Sequence, residues 1–467
     1  MSENERATRT INNLCSKTSF DDKYQAPQSL EKQLAHHKTP GISIAVIDDY
    51  KIDWARGFGY CEEGKGRKVV PRTLFQAGSI SKPIFALAVM RLVEEGRISL
   101  DEDVNKYLTS WRVPANSKWQ PRITLRQLLS HTGGVTVHGF RGYSSSEIIP
   151  TIPDILNGEA STNSERIEVN ILPGLQCRYS GGGTTIAQQV IVDLLGKCFP
   201  TIMRDLVLEP LGMNDSSFEQ PPKTWAERGA TAHPWNGKPL EGKYHIYPEM
   251  AAAGLWTTAT DLAMAGVEML KILNGHTSGI LSRETVEDML CPQLLGQEID
   301  EGSEYSGLGF FCSGKADHFQ FKHTGWDEGF VAEFRMYRNL GKGVVIMLNS
   351  NQGYPLMDEI IRSIELEYDW PVSTPYTSSI LTSDPSIDYT GKFKAESGVI
   401  FTITGQDNSL VLKFVEQEAL PINPISILEF QSEVTNTKIT FQTNENKIVK
   451  SIIVRQAGQQ LKAVKIS

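Results

Sequence analysis

The chain has 467 residues, of which 40% are hydrophobic and 22% are charged, and its 39 glycines and 23 prolines are spread along the whole length. This composition is that of an ordinary globular protein with more than one domain, and it excludes a fibrous or disordered chain. The formal net charge is −9 and no basic block stands out, so nucleic acid is not expected as a partner.

Targeting segments and cysteine or histidine motifs are not evident in the sequence. No apolar run approaches the roughly 20 residues that span a bilayer, and the charged start is not followed by an apolar stretch. We therefore expect a cytoplasmic protein with no membrane partner. The six cysteines form no CxxC pair and no HExxH motif occurs, so no disulfide scaffold, metal site or cofactor is expected.

The first half of the chain begins with a polar N-terminal arm over residues 1–25. Residues 41–60 then alternate between apolar and polar side chains around Asp48 and Asp49, which predicts a β-hairpin. A buried helix is predicted from Ile84 to Gly96, because the apolar residues have helical spacing and a glycine closes the run. Helical pieces separated by loops rich in Gly and Pro over about 100–300 indicate a mostly helical subdomain.

Strand patterns return at residues 329–337 and 343–349, and an amphipathic helix follows at 355–370. Together with the hairpin they predict an α+β fold, in which both ends of the domain form one antiparallel sheet flanked by helices. Residues 371–387 are rich in Ser, Thr and Pro, which is typical of a linker. The short alternating segments over 388–467 predict a small all-β barrel. The predicted domains are 26–370 and 388–467.

A candidate nucleophile lies at the start of the predicted buried helix. Ser79 and Lys82 are three residues apart, so they share a face on the first helical turn. A serine hydroxyl is a weak nucleophile at neutral pH, and an amine kept neutral by burial could accept its proton. The same spacing occurs at Ser29 and Lys32 in an exposed stretch, so this pattern is also consistent with a capping serine and a solvated lysine.

Two further short segments follow along the chain. Tyr179-Ser180-Gly181 precedes a predicted helix, and His323-Thr324-Gly325 opens a predicted strand. Together with Ser79-Ile80-Ser81-Lys82 they resemble, in this order, the three signature elements of the penicillin-recognising serine hydrolases. That family includes class C β-lactamases, penicillin-binding D-alanyl-D-alanine peptidases, and family VIII esterase and D-aminopeptidase relatives. The resemblance extends over about 35–370 and includes the runs LLSHTGG, PLGM and GLWTT that begin at Leu128, Pro210 and Gly254.

The resemblance implies a role for each matched residue. Ser79 would be the acylated nucleophile, Lys82 would hold or shuttle its proton, and Tyr179 would act as general base and later protonate the leaving group. Which of Lys82 and Tyr179 is the base stays open. The main-chain N–H groups of Ser79 and Trp326 would form an oxyanion hole. His323 would line the cleft wall and hydrogen-bond the Tyr179 hydroxyl or Ser180. The implied substrate-binding residues are Ser180, Gly181, His323, Thr324 and Gly325.

Two positions depart from the β-lactamase pattern. Gly181 stands where an asparagine carboxamide would bind a substrate amide, and His323 replaces a lysine. The first change weakens the case for β-lactams and peptides, and the second is common among the esterase and D-amino-acid-amide relatives. The resemblance then implies carboxylic esters, or D-configured amides and peptides, as substrates. The implied function is therefore a serine hydrolase that acts through an acyl-enzyme on a small-molecule or peptide substrate, without a cofactor.

Several alternatives stay open at this point. Within the enzyme class, a D-stereospecific peptidase, a peptide cyclase or a weak β-lactamase would carry the same residues. From a different class, a non-catalytic acyl-binding or scaffold protein could keep the same fold. The all-β tail is similar in pattern to the lipocalin-like C-terminal domains of several family members. A homo-oligomer is a possible assembly that the sequence neither requires nor excludes.

Overall fold

The structure is a computed structural model. The chain forms two compact units. The residues that the structure describes lie within 3–371 in the first unit and within 387–466 in the second. None of the helices in the described part of the chain has the length and apolar character that a membrane span requires. The described residues are 3–14, 28–117, 119–276, 279–294, 304–371, 387–395, 398–406, 409–414, 420–424, 428–432, 437–444, 447–456 and 459–466.

All the α-helices of the described residues lie in the first unit. Helices α1 to α12 span Glu3–Asn12, Leu30–His36, Ser81–Glu94, Leu125–Leu129, Ile152–Asn157, Gly181–Leu195, Phe199–Met203, Trp225–Arg228, Met250–Ala253, Ala259–Leu273, Arg283–Met289 and Tyr354–Glu367.

The strands are divided between the two units. Strands β1 to β9 of the first unit span Gly41–Asp48, Lys51–Gly59, Phe75–Gln76, Trp256–Thr257, Tyr305–Ser306, Phe311–Ser313, Gln320–Asp327, Phe330–Tyr337 and Lys342–Leu348. Strands β10 to β17 of the second unit span Gly391–Ala395, Ile400–Gln406, Ser409–Phe414, Leu420–Pro424, Glu429–Gln431, Lys438–Thr443, Val449–Gln456 and Gln459–Lys465.

The main sheet of the first unit has the strand order β2-β1-β9-β8-β7-β6-β5 and is antiparallel throughout. Strand β1 lies near the start of the chain, yet it pairs along its length with β9, where Ile42 lies opposite Leu348. Both ends of the unit therefore build one sheet, and helices flank it. The predicted α+β fold is confirmed.

Strand β1 shows why the sheet needs helices on both faces. Successive side chains of a strand point to opposite faces. Ile42 and Ile44 belong to a core that includes Leu356 of α12, whereas Ala45 belongs to the larger core that contains α3 and α10. Because both faces of β1 are buried, the strand is apolar almost throughout. The hairpin turn to β2 is made by Asp49 and Tyr50, which both have positive φ.

Two helices start three residues earlier than the sequence pattern indicates. Helix α3 begins at Ser81 rather than Ile84, because Pro83 lies in the first turn, where its missing N–H costs no helical hydrogen bond. Helix α6 begins at Gly181 rather than at Thr184, where the apolar helical pattern begins, because Ser180 caps it, although three consecutive glycines have low helix propensity.

Part of the predicted polar arm is helical. Helix α1 packs on α12, where Arg9 forms an ion pair with Glu367 at 2.6 Å and Ser363 donates a hydrogen bond to the Thr10 carbonyl at 2.7 Å. The rest of the arm, apart from Asn13 and Leu14, lies outside the described residues, as does most of the predicted linker at 371–387.

The second unit is a closed antiparallel barrel. Strands β10 to β17 pair in sequence order, and β10 pairs with β17, where Lys394 lies opposite Val464. Phe393, Phe430 and Phe441 are at most 1% exposed and fill the interior. The predicted small all-β barrel is confirmed, and closure pairs the first strand with the last.

Candidate active site

Ser79 lies in a 3₁₀ turn, Gly78–Ile80, that leads directly into α3. Gly78 has φ +51°, a conformation that glycine adopts without strain. The turn is fixed by Ser81, whose Oγ donates to the Gly78 carbonyl at 2.6 Å and accepts from the Leu255 amide at 3.0 Å. The Ser79 hydroxyl is thereby held at the N-terminal end of a long buried helix.

Lys82 lies one helical turn further on and is only 4% exposed. Its Nζ is 2.8 Å from Ser79 Oγ and donates to the Ala252 carbonyl at 2.8 Å. Burial lowers the pKa of Lys82 to about 7, against the opposing influence of the Asp327 carboxyl. A large fraction of these amines is therefore uncharged at neutral pH and able to accept a proton.

Tyr179 approaches the same pair from the residue before the α6 cap. The centre of its ring is 4.9 Å from Lys82 Nζ. Burial raises the pKa of Tyr179 above its ordinary value, and the nearby Ser79 hydroxyl opposes this. The phenol is therefore protonated at neutral pH, and the structure brings all three predicted catalytic residues together.

The Tyr179 ring is surrounded by other rings. The ring centroids of His131 and His138 lie 4.3 and 4.8 Å from it, and those of Phe311 and His323 each lie 6.1 Å away. Burial, helped by the Lys82 charge, lowers the pKa of all three histidines, so they are neutral. Packing on four sides fixes the orientation of the phenol.

His323 does not make the hydrogen bond to Tyr179 or Ser180 that we expected. Its Nδ1 lies 2.8 Å from the carbonyl of Thr324 and so carries the ring proton, and Nε2 is buried with no partner among the described residues. Burial lowers the pKa of His323 to about 3. The Ser180 amide is instead bound by His131 Nδ1 at 3.2 Å.

Two of the predicted substrate-binding side chains make hydrogen bonds within the protein. The Ser180 hydroxyl accepts from the Gly183 amide at 2.9 Å and donates to the Thr136 carbonyl at 2.7 Å, so it caps α6. Thr324 Oγ1 donates to Glu333 Oε2 at 2.8 Å. These contacts engage both hydroxyls within the protein, and the role of Ser180 and Thr324 in substrate binding stays a prediction.

Strand β7 packs with its main chain directly against the nucleophile turn. A Cβ on Gly325 would lie 1.9 Å from the Ala77 carbonyl oxygen, and one on Gly78 would lie 2.4 Å from the Trp326 nitrogen. Two glycines facing each other therefore allow the Trp326 amide to lie beside the turn that carries Ser79. Side chains at either position would push the strand and the turn apart.

The Trp326 side chain is 39% exposed and forms part of an aromatic wall. Its ring centroid lies 5.3 Å from that of Trp235 and 5.4 Å from that of Tyr354. The wall begins at Trp326, whose amide lies beside the turn that carries Ser79, so it borders the site. Across the ranges that the structure describes, three or more His, Cys, Asp or Glu side chains do not gather at metal-binding distance.

Comparison with known sequences places the chain in a family. The sequence profile described as Beta-lactamase matches residues 27–368. The chain belongs to the beta-lactamase family. Among curated proteins, Protein flp of Staphylococcus aureus (strain N315) is 23% identical over 336 residues, which are 72% of this chain and 64% of flp. This chain therefore matches less than two thirds of the length of that relative.

Two further proteins are similar to a smaller part and to a larger part of the chain. Esterase EstB of Burkholderia gladioli is 29% identical over 195 residues, which are 40% of this chain and 49% of EstB. The structure described as the octameric penicillin-binding protein homologue from Pyrococcus abyssi superimposes with a TM-score of 0.64 and 22% identity, over 93% of this chain and 98% of that one. At this identity the likeness shows the fold.

Proposed function

We propose that this protein is a serine hydrolase that forms an acyl-enzyme at Ser79. The observation that carries the proposal is the 2.8 Å distance between Lys82 Nζ and Ser79 Oγ, in a site where burial lowers the pKa of Lys82 to about 7. Membership of the beta-lactamase family supports it. A serine activated by an adjacent base is the requirement for this chemistry.

We infer the proton transfers of acylation from these contacts. Lys82 accepts the Ser79 proton as Oγ attacks the substrate carbonyl carbon, and the main-chain N–H groups of Ser79 and Trp326 bind the oxygen that becomes negative. Tyr179 keeps its proton before the reaction because burial raises its pKa, so that proton is present for transfer to the leaving group, and the ammonium group of Lys82 then returns a proton to Tyr179. Of the two candidate bases, we therefore assign the role to Lys82. Water then releases the acyl group by the reverse sequence.

Intact-mass spectrometry tests the function directly. The protein is exposed in parallel to activated esters, D-amino-acid amides, penicillins and a fluorophosphonate. We expect a mass increase that maps to Ser79, with turnover of at least one substrate class. A protein that gains no mass from any of these reagents would be the non-catalytic binding or scaffold protein.

Gly78→Ala tests the proposed oxyanion hole. The added methyl group would meet the Trp326 nitrogen at 2.4 Å, so the amide should move and the rate should fall by about 10²- to 10³-fold, as for the loss of one oxyanion donor. Gly64→Ala is the matched control, because Gly64 also has positive φ but has no atom within 4 Å of the added carbon. A Gly78→Ala rate equal to that of the control would argue against the Trp326 donor.

Carboxylic esters are the substrate class that we propose. Gly181 offers no carboxamide to hold a substrate amide, and His323 is neutral, so it offers no positive charge to a substrate carboxylate. Esters have better leaving groups than amides, so they depend less on side chains that hold the substrate by its amide or carboxylate. The similarity to EstB, which is named an esterase, supports the same class.

The substrate preference should be large. We expect short-chain aryl esters to react at least about a hundredfold faster than penicillins, which corresponds to about 2.7 kcal/mol of transition-state stabilisation. Gly181→Asn should reduce the difference in rate between aryl esters and penicillins, because it supplies the missing carboxamide. The new side chain must fit against the His138 carbonyl and the Phe140 ring, each 3.1 Å from its Cβ. Gly181→Ala therefore serves as the control for crowding.

The comparison of kcat/KM for an aryl ester and a penicillin in the three proteins decides the point. Penicillin hydrolysis by the unmodified protein at a rate similar to its esterase rate would overturn the ester assignment. It would place the protein with the β-lactamases in activity as well as in family.

A further inference from the structure

His131 lies beside Tyr179 and has no role in the reaction scheme above. It is 4% exposed, and the centroid of its ring is 4.3 Å from that of the Tyr179 ring. The two residues are far apart in the sequence, so the fold brings them together. A buried imidazole requires a hydrogen-bond partner, and the partner of His131 is Ser180, the residue directly after Tyr179.

The backbone at His131 favours a glycine rather than a histidine. Its φ is +60°, in the left-handed region that residues other than glycine rarely adopt. Helix α4 ends just before it, and there the Thr132 amide donates to the Gln127 carbonyl at 2.9 Å. The His131 amide donates to the Leu128 carbonyl at 3.4 Å. Helices often end with this pair of hydrogen bonds, and the left-handed residue is then usually glycine.

Two other helix ends in the chain follow this rule. Helices α5 and α6 also end at a residue with positive φ, which is Gly158 in α5 and Gly196 in α6. A glycine at position 131 would suit the backbone at the end of α4. A histidine held in this conformation therefore indicates that its side chain has a function, which its contacts can identify.

His131 binds the residue on each side of Tyr179. Its carbonyl accepts a hydrogen bond from the Arg178 amide at 2.8 Å, and its Nδ1 accepts one from the Ser180 amide at 3.2 Å. A main-chain amide can only donate, so Nδ1 carries no proton and the neutral ring has its proton on Nε2. Tyr179 is therefore held through both of its neighbours in the chain and by the ring that packs against its phenol.

Further hydrogen bonds join the same two segments. The Arg178 side chain donates from Nε to the Val135 carbonyl at 3.0 Å, and the Ser180 hydroxyl donates to the Thr136 carbonyl at 2.7 Å. These two contacts involve only the neighbours of Tyr179, whereas His131 contacts both neighbours and the phenol ring. His131 is thus placed to set the position of the Tyr179 hydroxyl.

We propose that His131 is a positioning residue for Tyr179, which holds the phenol where it can give its proton to the leaving group. This inference rests on the proposed function. In that step the bond from the carbonyl carbon to the leaving oxygen breaks, and the Tyr179 O–H bond breaks as an O–H bond forms on the departing alcohol. The Lys82 ammonium group then returns a proton to the Tyr179 oxygen. The proton count of His131 does not change.

His131→Phe keeps a ring beside Tyr179 and removes the acceptor for the Ser180 amide. The measurement is kcat/KM for an ethyl ester and a 4-nitrophenyl ester of the same short acid. An alkoxide needs a proton to leave, whereas 4-nitrophenolate leaves without one. We expect the ethyl ester value to fall at least about tenfold and the 4-nitrophenyl ester value to fall less than about threefold. General damage to the site would lower both values alike.

His131→Asn is the conservative variant. The asparagine oxygen can accept from the Ser180 amide, and asparagine tolerates the left-handed conformation. This variant should keep the ethyl ester value within about threefold of that of the unmodified protein, because the hydrogen bond is retained. If the ethyl ester reacts too slowly to measure in the unmodified protein, the trifluoroethyl ester, which also releases an alkoxide, takes its place.

Lys38→Phe is the matched control. Lys38 also has positive φ, and α2 ends there with the same pair of hydrogen bonds, from the Thr39 amide to the Leu34 carbonyl and from the Lys38 amide to the Ala35 carbonyl. Its side chain is exposed. The control thus places the same new residue in the same backbone setting, and it should change neither ester value. If His131→Phe does not fold, His131→Leu, which also lacks an acceptor, is measured in the same way.

Three results would overturn the inference. They are equal losses with the two esters in His131→Phe, an unchanged ethyl ester value in that variant, or a loss in His131→Asn as large as that in His131→Phe. Failure of the proposed function is a separate outcome, because the unmodified protein would then form no acyl-enzyme at Ser79.

Discussion

Ser79→Ala should abolish acylation and lower turnover by at least about 10⁴-fold, the scale seen when an enzyme loses its nucleophile. The two nearby serine hydroxyls that the structure describes are engaged with other partners. The Ser81 hydroxyl is engaged with the Gly78 carbonyl and the Leu255 amide, and that of Ser180 caps α6. The measurement is the mass increase after exposure to a fluorophosphonate and an activated ester, followed by peptide mapping.

The chain contains a matched control for this substitution. Ser29 has the same spacing to Lys32 as Ser79 has to Lys82, but it caps the short helix α2, where its Oγ accepts from the Lys32 amide at 3.4 Å. Ser29→Ala should keep full activity and cost about 0.5 to 1 kcal/mol of stability. If labelling persists in Ser79→Ala, or maps to Ser81 or Ser180 in the unmodified protein, the nucleophile is assigned incorrectly.

Lys82→Arg should be almost inactive although it keeps a positive side chain, with a rate at least about 10³-fold lower. A guanidinium group does not lose its proton in proteins, so it cannot act as the base. The same reasoning fixes the pH dependence of the unmodified protein. Lys82 must be uncharged to accept a proton, so activity should rise with pH through about 7, the value to which burial lowers its pKa.

Lys32→Arg is the control for this change, because it alters an exposed lysine with the same sequence spacing to a serine. It should leave both the rate and the pH profile unchanged. Retention of more than about a tenth of the activity by Lys82→Arg would mean that Lys82 contributes only its charge. An activity that falls as the pH rises through neutrality would mean the same.

The parts of the fold that sequence patterns predict are those set by local hydrophobic patterns. The hairpin at Gly41–Gly59, helix α3 and the barrel strands are each rich in apolar residues, and these runs are visible in the sequence. Helix starts were less well predicted. At Ser81 and Gly181 the first turn depends on a proline position and a serine cap rather than on apolar spacing.

The site was predictable where residues follow a short motif and unpredictable where the tertiary structure assembles it. Ser79, Lys82 and Tyr179, which the structure brings together, each lie in a short motif. His138 and Phe311 lie on other elements, and only the folded chain brings them to Tyr179. The LLSHTGG run did contain His131, but its position 4.3 Å from the Tyr179 ring depends on loops without periodicity. Sequence alone also cannot show that Ser180 and Thr324 hydroxyls are already occupied.

The pairing of α1 with α12 has a practical consequence for protein engineering. The Arg9–Glu367 ion pair brings the two ends of the first unit side by side. Domains whose ends lie close together accept circular permutation, because a short peptide can join the old termini. New termini opened in the exposed turn around Asn236 and Gly237 would interrupt none of the elements that carry Ser79, Lys82 and Tyr179. The permuted first unit would keep the same three candidate catalytic residues. Its new termini would lie beside the aromatic wall, where a reporter or a second enzyme could be fused.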